Sequence, residues 1–437
     1  MMIVNRMLRA ASGIGLCLLM AAGPGAGFYA RGASRAAAPA AKSEVLAGKL
    51  PAKPSIAPRW KIPVEDLGFA APGANYLGQR NALVSLDFLD EDRMLFTYRV
   101  PGLMRREPAS ASEDQREIRA VVLDGSSGAV LARTEWTLHD RERYLWAAGG
   151  GRFLLRDLES IYELDASLNR KPILHFPGPV EWMSLNPAGD LIVTDSWEPE
   201  KRGGGGSEKA QTATGDGDDT GPRNMVLRIL KRNTGQVMLV KRLRTASRPA
   251  IAASGILEAL RGNGQQWEVV EDGFAGETRP IGEVKSACTP RLDLVSEKVA
   301  LATACMDSGG YTLTALDLAG GALWTAEETD RAAWPQLATA ANGLRFAREA
   351  LYVMQPVNAF DPMTTSEIKG QWVRVFDTAT GGMVFEAPVA PVLDAGGNVA
   401  LSPTGRRVAV LNGGAIEVFE LPEAPPLPKS ADASQKR

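Results

Sequence analysis

The sequence predicts an all-β fold: a seven-bladed β-propeller of four-stranded antiparallel blades, with the ring closed by the N-terminal strand. Three observations predict it. The first is a recurring turn, seen in Leu123-Asp124-Gly125-Ser126-Ser127-Gly128, Leu230-Lys231-Arg232-Asn233-Thr234-Gly235, Leu316-Asp317-Leu318-Ala319-Gly320-Gly321 and Phe376-Asp377-Thr378-Ala379-Thr380-Gly381. Each copy separates two alternating apolar runs, the pattern of a hairpin turn between strands. With weaker copies near Asn169 and Gly276, the turn returns about every 42 residues apart from two longer steps, which is the length of one four-stranded blade. The second observation is a polar turn that separates the first two strands of several blades: Leu89 to Arg93, Asn186 to Asp190 and Ser402 to Arg406. Asp, Pro and Gly supply the backbone angles such a turn needs. The third is the count: both motifs together give seven units, starting near Ala82, Ala147, Trp182, Pro249, Pro290, Gln336 and Gly397.

The first unit shows four strands, Ala82–Phe88, Met94–Val100, Glu117–Asp124 and Ala129–Trp136. The last shows three, Asn398–Ser402, Arg407–Leu411 and Ala415–Leu421. A fourth strand from the segment Arg59–Phe69 completes it, which pairs the two ends of the ring and removes exposed edges. A chain of 437 residues would otherwise suggest several domains. The repeat overrides that prior, because a blade cannot bury both its faces alone.

The remaining segments frame the propeller. Arg6 and Arg9 precede an apolar stretch from Ala10 to Ala22, then small residues, so residues 1–30 read as an export signal with cleavage between Ala26 and Ala33. The alternative is an uncleaved N-terminal membrane anchor, although Gly23, Pro24 and Gly25 leave the apolar run short of the ~20 residues of a comfortable span. Cys17 lacks the small preceding residue of a lipoprotein signal. Residues 31–58 are rich in Ala, Pro and Lys and read as a flexible linker; the propeller occupies 59–421; residues 422–437 read as a disordered tail. Lys and Arg number 49 against 51 Asp and Glu, a net charge of −2. That balance lacks the basic footprint of a nucleic-acid binder. A monomer, peripheral to a membrane at most, is the expected state.

Cys288 and Cys305 flank two strand-like runs joined near Ser296 and Glu297. A regular two-residue hairpin would set them opposite each other, and facing cysteines in an exported chain read as a disulfide. Two reduced core thiols are the alternative. Three insertions stand out: 101–116 in the first unit, 197–224 in the third and 355–370 in the sixth. All join second strands to third strands and therefore leave on one face of the disc. Function tends to reside on such segments, but insertion there also costs little, so drift is the competing reading. The third-unit insertion, with Gly203–Gly206 and Asp216 to Gly221, has a composition that favours disorder.

Chemistry is sparse. The two histidines, His139 and His175, fall in or beside predicted strands and read as ordinary strand or loop residues. No His-Glu-x-x-His or Cys-x-x-Cys pattern supplies zinc or iron ligands, and no Gly-x-Ser-x-Gly elbow presents a nucleophile. Counting from Asp216 as a calcium loop puts Leu227 where a bidentate Glu is needed. Gly203–Gly206 is not followed by the Lys-Ser pair of a phosphate loop. No cofactor is predicted. Trp136, Trp324 and Trp372 lie in or beside strands and are expected to pack between blades.

The units resemble bacterial seven-bladed propeller repeats of the WD40-like, YVTN and quinoprotein-like groups. Val373 to Gly381 is similar to their strand-Asp-x-x-x-Gly turn, and Ala315 to Trp324 is similar to a quinoprotein blade with its docking tryptophan. Quinoprotein dehydrogenases repeat that tryptophan around eight blades and hold calcium and a quinone. Here the sequence matches the position once, at Trp324, and shows no residues for the cofactor. The resulting reading is a non-catalytic exported propeller that acts as a binding or scaffold module for a protein or envelope component. Its candidate contacts are Arg105, Arg106, Trp197 and Phe360. The alternative is a propeller enzyme, hydrolase, lyase or lactonase-like, which needs acidic or histidine side chains converging on the central channel.

Overall fold

The computed structural model describes residues 56–70, 75–76, 84–100, 115–139, 143–165, 167–176, 180, 182–199, 223–243, 249–307, 310–328, 332–333, 337–353, 368–390, 392–393 and 397–428. These form seven antiparallel blades in a ring. Blade 1 comprises Val84–Phe88, Arg93–Arg99, Gln115–Asp124 and Val130–His139, and blade 2 runs from Leu145–Ala147 to Arg170–His175. Blade 3 runs from Trp182–Leu185 to Val237–Leu243, blade 4 from Ala250–Ile251 to Thr278–Lys285, and blade 5 from Arg291–Leu294 to Ala322–Glu328. Blade 6 places Leu337–Thr339 inside Arg345–Val353, Ile368–Asp377 and Met383–Val389. Blade 7 takes Val399–Leu401, Arg407–Asn412 and Ala415–Glu420 from the C-terminal end and its outer strand, Trp60–Pro63, from the N-terminal end. Trp60 pairs with Val418 and Pro63 with Ala415, antiparallel. This closes the ring as the missing strand required.

The closing strand is shorter than the segment 59–69. Val64–Leu67 forms a turn of 3₁₀-helix that ends at Gly68 in the left-handed conformation, and Phe69 then plugs into the core. A short parallel pair, Asn75–Tyr76 with Val392–Leu393, adds a second link between the two ends.

Side-chain alternation explains why the ring holds together. Successive residues of a strand face opposite sides of its sheet, and in a propeller both sides meet another blade. Blade 5 shows the rule: Val299, Leu301, Leu313 and Ala315 pack toward Phe346 and Phe376 of blade 6, while Ala300, Ala302 and Leu316 pack toward Leu257 and Val269 of blade 4. Among the described residues the apolar core divides into seven clusters, one at each junction between neighbouring blades. Trp136 belongs to the cluster between blades 1 and 2, as expected of it.

The recurring turn has a second task. It joins the third and fourth strands, and the outer strand of the preceding blade docks on it. Trp324 of blade 5 donates its indole N–H to Thr378 O of the blade 6 turn at 2.7 Å, and a Cβ on Gly381 would lie 2.7 Å from its ring. Trp60 repeats the contact at the closure, donating to Gly125 O at 3.0 Å and covering Gly128. Both glycines have positive φ, +69° and +77°. The motif therefore ends in glycine for two reasons at once: backbone conformation and the ring lying against it. The sequence pattern matched one docking tryptophan; the described residues show two, because Trp60 enters blade 7 from the far end of the chain. Leu174 of blade 2 takes the same place against Gly235.

Two boundaries differ in detail from the sequence reading. Leu427, in the stretch read as tail, packs against the cluster between blades 5 and 6. The hairpin between the cysteines has three loop residues, with Val295 N–H bonded to Val299 O at 3.0 Å. Cys288 and Cys305 are therefore one step out of direct register. They still lie at disulfide distance, Cα–Cα 5.5 Å. Residues 1–55 and 429–437, with the export signal and most of the linker, lie outside the described residues.

Candidate functional site: the channel and the link face

Strand direction sorts the two faces of the disc. Second strands end, third strands begin and first strands start on one face, here called the link face. The polar turns between first and second strands lie on the other. The three long insertions all join strands on the link face: Arg99 to Gln115, Pro199 to Arg223 and Val353 to Ile368. The first and last strands of the propeller meet the rest of the chain on the opposite face, where Arg59 N–H bonds Val418 O and Leu421 N–H bonds Arg406 O.

In blade 3 the middle hairpin grows beyond its first strand toward the link face. In blade 3 the first strand pairs as far as Trp182 with Asp195, while the second and third strands continue through Ser196↔Val226 and Trp197↔Met225 to Pro199↔Arg223. The backbone of Trp197 therefore sits on this overhang. Its side chain, like Arg105, Arg106 and Phe360, lies outside the described residues.

The channel is bounded by the first strands, which lie against one another where blades 4 and 5, blades 6 and 7, and blades 7 and 1 meet. Charged side chains of blades 1, 2 and 6 act on one another electrostatically near the first strands. Arg143 precedes the first strand of blade 2; its Nε donates to Leu145 O at 2.8 Å and its guanidinium lies 5.5 Å from the Trp146 ring centroid. Electrostatically it acts on two carboxylates, Asp87 from the first strand of blade 1 and Glu349 from the second strand of blade 6. Burial pushes Asp87 up to about 6, against the opposing pull of Arg143 and of the Ser85 hydroxyl that donates to it. Burial pushes Glu349 up to about 8, against the pull of its bond from Gln371 and of Arg143. Water reaches Arg143 and, less fully, Asp87, yet desolvation dominates both. Groups surrounded by protein but open to water on one side have that combination.

Glu349 begins a short relay into blade 7. Gln371 Nε2 donates to Glu349 Oε2 at 2.7 Å, and Asn398 Nδ2 donates to Gln371 Oε1 at 3.0 Å. Glu349 and Asn398 are 1% and 0% exposed. A second polar spot lies between blades 5 and 6 on the link face, where a cavity of about 190 Å³ is lined by the cysteine pair, Arg291, Asp293, Thr303 and Arg348. Arg348 is already engaged there with Glu328 at 3.4 Å and Thr303 at 3.3 Å, and burial holds its pKa down to about 10. A wider depression of about 480 Å³ lies on the rim of blade 1, beside Leu67 and Gly68; Arg133 spans it to bond Leu67 O at 2.7 Å.

The histidines occupy outer strands. His139 contacts Asp157 at 3.2 Å and Gln115 at 2.9 Å, and His175 contacts Ser160 at 3.1 Å. Among the described residues no three His, Cys, Asp or Glu side chains group to hold a metal ion. Sequence reading did not find Asp87, Arg143 or Glu349. Asp87 and Glu349 do carry a signal, a carboxylate inside an otherwise apolar strand, but nothing in the sequence brings the three together.

No protein-family model matches the chain, and no curated protein matches it. Among solved structures it is similar to the uncomplexed Pyrococcus horikoshii acylaminoacyl peptidase, at 11% identity and a TM-score of 0.46, covering 80% of this chain and 53% of that one. It is also similar to a chain of the Kuenenia stuttgartiensis hydrazine synthase, at 10% identity and a TM-score of 0.43, covering 80% and 99%. A chain of the mitotic checkpoint complex matches at 12% identity and a TM-score of 0.42, covering 87% and 100%. This chain spans about half the length of the peptidase.

Proposed function

We propose that the protein is an exported binding module, non-catalytic and of the WD40-like, YVTN or quinoprotein-like kind, that holds a protein or envelope component on its link face. One observation carries the reading: the three long links depart from one face, while the ends of the propeller join the chain on the other. The described ends of the propeller thus enter and leave on the opposite face, and rigid blades hold the ends of each link. The cysteine pair supports an oxidising compartment.

The test uses the chain from residue 31 onward beside a version in which 101–114, 200–222 and 354–367 are replaced by short Gly-Ser links. Both are offered to an envelope extract. A component retained by the first and lost by the second, with both versions equally stable to heat, supports the reading. Equal retention by both, or none by either, overturns it.

A second reading, an enzyme working in the channel, draws on two carboxylates, Asp87 and Glu349, that both feel the charge of Arg143. Their raised pKa values fit proton transfer near neutral pH. Turnover of an ester, lactone or glycosidic substrate that disappears in Asp87→Asn would favour it.

A further inference from the structure

Each blade ends in an outer strand whose far side carries unpaired N–H and C=O groups. Proteins blunt such edges with proline, with charge or by keeping them short. Four of the seven outer strands here hold a proline: Pro172 in blade 2, Pro280 in blade 4, Pro388 in blade 6 and Pro63 in blade 7. Blade 3 sets Lys241 on its edge and ties it to Glu258 of blade 4, and blade 5 ends its edge in Glu327 and Glu328.

Blade 1 departs from this pattern. Its outer strand, Val130–His139, is the longest of the seven and holds neither proline nor lysine. Among the described residues no strand pairs with its far side. Val130 and Leu131 stand 41% and 53% exposed on it. Register sharpens the contrast with blade 6. Glu135 lies opposite Arg119, five residues before the turn residue Asp124, and Pro388 lies opposite Trp372, five residues before Asp377. Blade 1 thus has a glutamate where blade 6 has a proline. Proline in an edge strand sits where the backbone nitrogen faces away from the sheet. By the same register the N–H of Glu135 points out from blade 1, and those of Arg133 and Thr137 follow it at the strand period of two.

Charge on this edge is unpaired within the chain. Arg133 gives its Nη1 and Nη2 hydrogens to Leu67 O at 2.7 Å and Asp66 O at 3.3 Å, and among the described residues it meets no carboxylate. Glu135 has no hydrogen-bond or ion-pair partner among them. Both line the open depression of about 480 Å³ on the rim.

The strand is complementary to itself. Laid antiparallel against a second copy with Thr134 opposite Thr134, it sets Arg133 opposite Glu135, twice over by symmetry, and Leu131 opposite Thr137. Residues directly opposite in an antiparallel pair share a face and interact. The other two edges without proline fail the same operation: about Val240 it sets Leu239 against Lys241, and about Thr325 it sets Leu323 against Glu327.

We propose that the protein pairs with a second copy of itself through the outer strand of blade 1, antiparallel about Thr134, so that two four-stranded blades join into one sheet. The contact uses the same patch on both copies and therefore closes at two. It replaces the monomer expected from the sequence. Because the strands run antiparallel, the two link faces point in opposite directions, and the pairing does not depend on what the link face holds.

The experiment is sedimentation velocity of the chain from residue 31 onward, which keeps every described residue, at concentrations up to about 100 μM. A reversible equilibrium of monomer and dimer is expected, and amide exchange at Leu131, Arg133, Glu135 and Thr137 should slow as the dimer fills. Glu135→Pro, a residue that blade 6 accepts at this register, should melt with the parent and stay monomeric. Glu135→Arg sets like charges opposite each other and should weaken the dimer at least about tenfold. Arg133→Glu should do the same, and an equal mixture of these two variants should dimerise again, since each copy carries the charge the other lacks. If Arg133→Glu does not fold without its bond to Leu67, the two Glu135 variants decide. A monomer at every concentration, as when another part of the chain covers this edge, overturns the proposal. So does a dimer that survives Glu135→Pro, or one that leaves exchange on this strand unchanged.

Discussion

The rim and the channel of this propeller are built on opposite logics. On the rim, one contact is repeated: an outer strand lays Trp60, Leu174 or Trp324 on the glycine of the next blade's turn. In the channel, nothing repeats. Asp87, Arg143, Glu349 and Asn398 come from four blades, at different heights and on different strands. The rim solves a problem every blade shares, that of attaching to its neighbour. The channel group solves none that the fold poses, and it carries costs of its own, because buried ionisable groups are unfavourable unless paired. Repetition marks what the ring needs to stand; departure from it marks where selection has acted for something else.

The largest expected effect tests the rim at its closure. Trp60→Ala removes a nearly buried indole and should cost about 3–5 kcal/mol. It also weakens the strand that joins the two ends, so chemical denaturation should show it falling further than Trp324→Ala, which removes the same side chain from an internal junction. Equal losses would mean that the closing strand adds nothing beyond its tryptophan. Next comes the cysteine pair. Replacing both Cys288 and Cys305 with Ala should cost about 3 kcal/mol, as a short closed loop predicts, and a reducing agent should reproduce that loss in the parent chain. An unchanged melting temperature on reduction would show that the bridge is not formed.

Smaller effects follow. Gly381→Ala places a methyl against the Trp324 ring at positive φ and should cost about 1–3 kcal/mol. Gly320→Ala is a useful contrast, since a Cβ there meets nothing within 4 Å and only the backbone angle resists it. The channel differs in kind, because its effect accumulates with pH. The folded state holds Glu349 protonated up to about pH 8, whereas an unfolded glutamate releases its proton near pH ~4.3. Between these values the folded state binds more protons than the unfolded, so stability falls as pH rises, by up to about 1.4 kcal/mol per unit, and flattens above pH 8. Glu349→Gln should remove that slope and match or exceed the parent at pH 8. An identical pH profile for both chains would show that Glu349 ionises normally, and the contrast between a costly channel and a self-supporting rim would then lose its electrostatic half.

Much of the rim was legible in the residues. The turn copies ending at Gly128, Gly235, Gly321 and Gly381 repeat because each must reverse a strand and receive a neighbour, and a requirement repeated in space leaves a period in sequence. Alternation in runs such as Val299 to Ala304 was legible for the same reason, since both faces of each sheet are covered. The register at Cys288 and Cys305 was less so, because a three-residue loop and a two-residue loop differ by one position that composition does not specify.

The channel group could not be read in advance. Arg143 precedes a strand in an ordinary polar stretch, and Glu349 lies more than 200 residues further on. Their meeting depends on how seven blades close, which is a property of the ring and of no local segment. The sequence by itself determined the blade, its turns, the number of blades and the source of the closing strand, because these rest on local periodicity and on glycine and proline geometry. The tertiary structure alone decided which charged side chains act on one another, which buried oxygens lack a donor among the described residues and which face carries the long links. Those depend on the distance between residues far apart in the chain, and that distance is set only when the first and last strands pair.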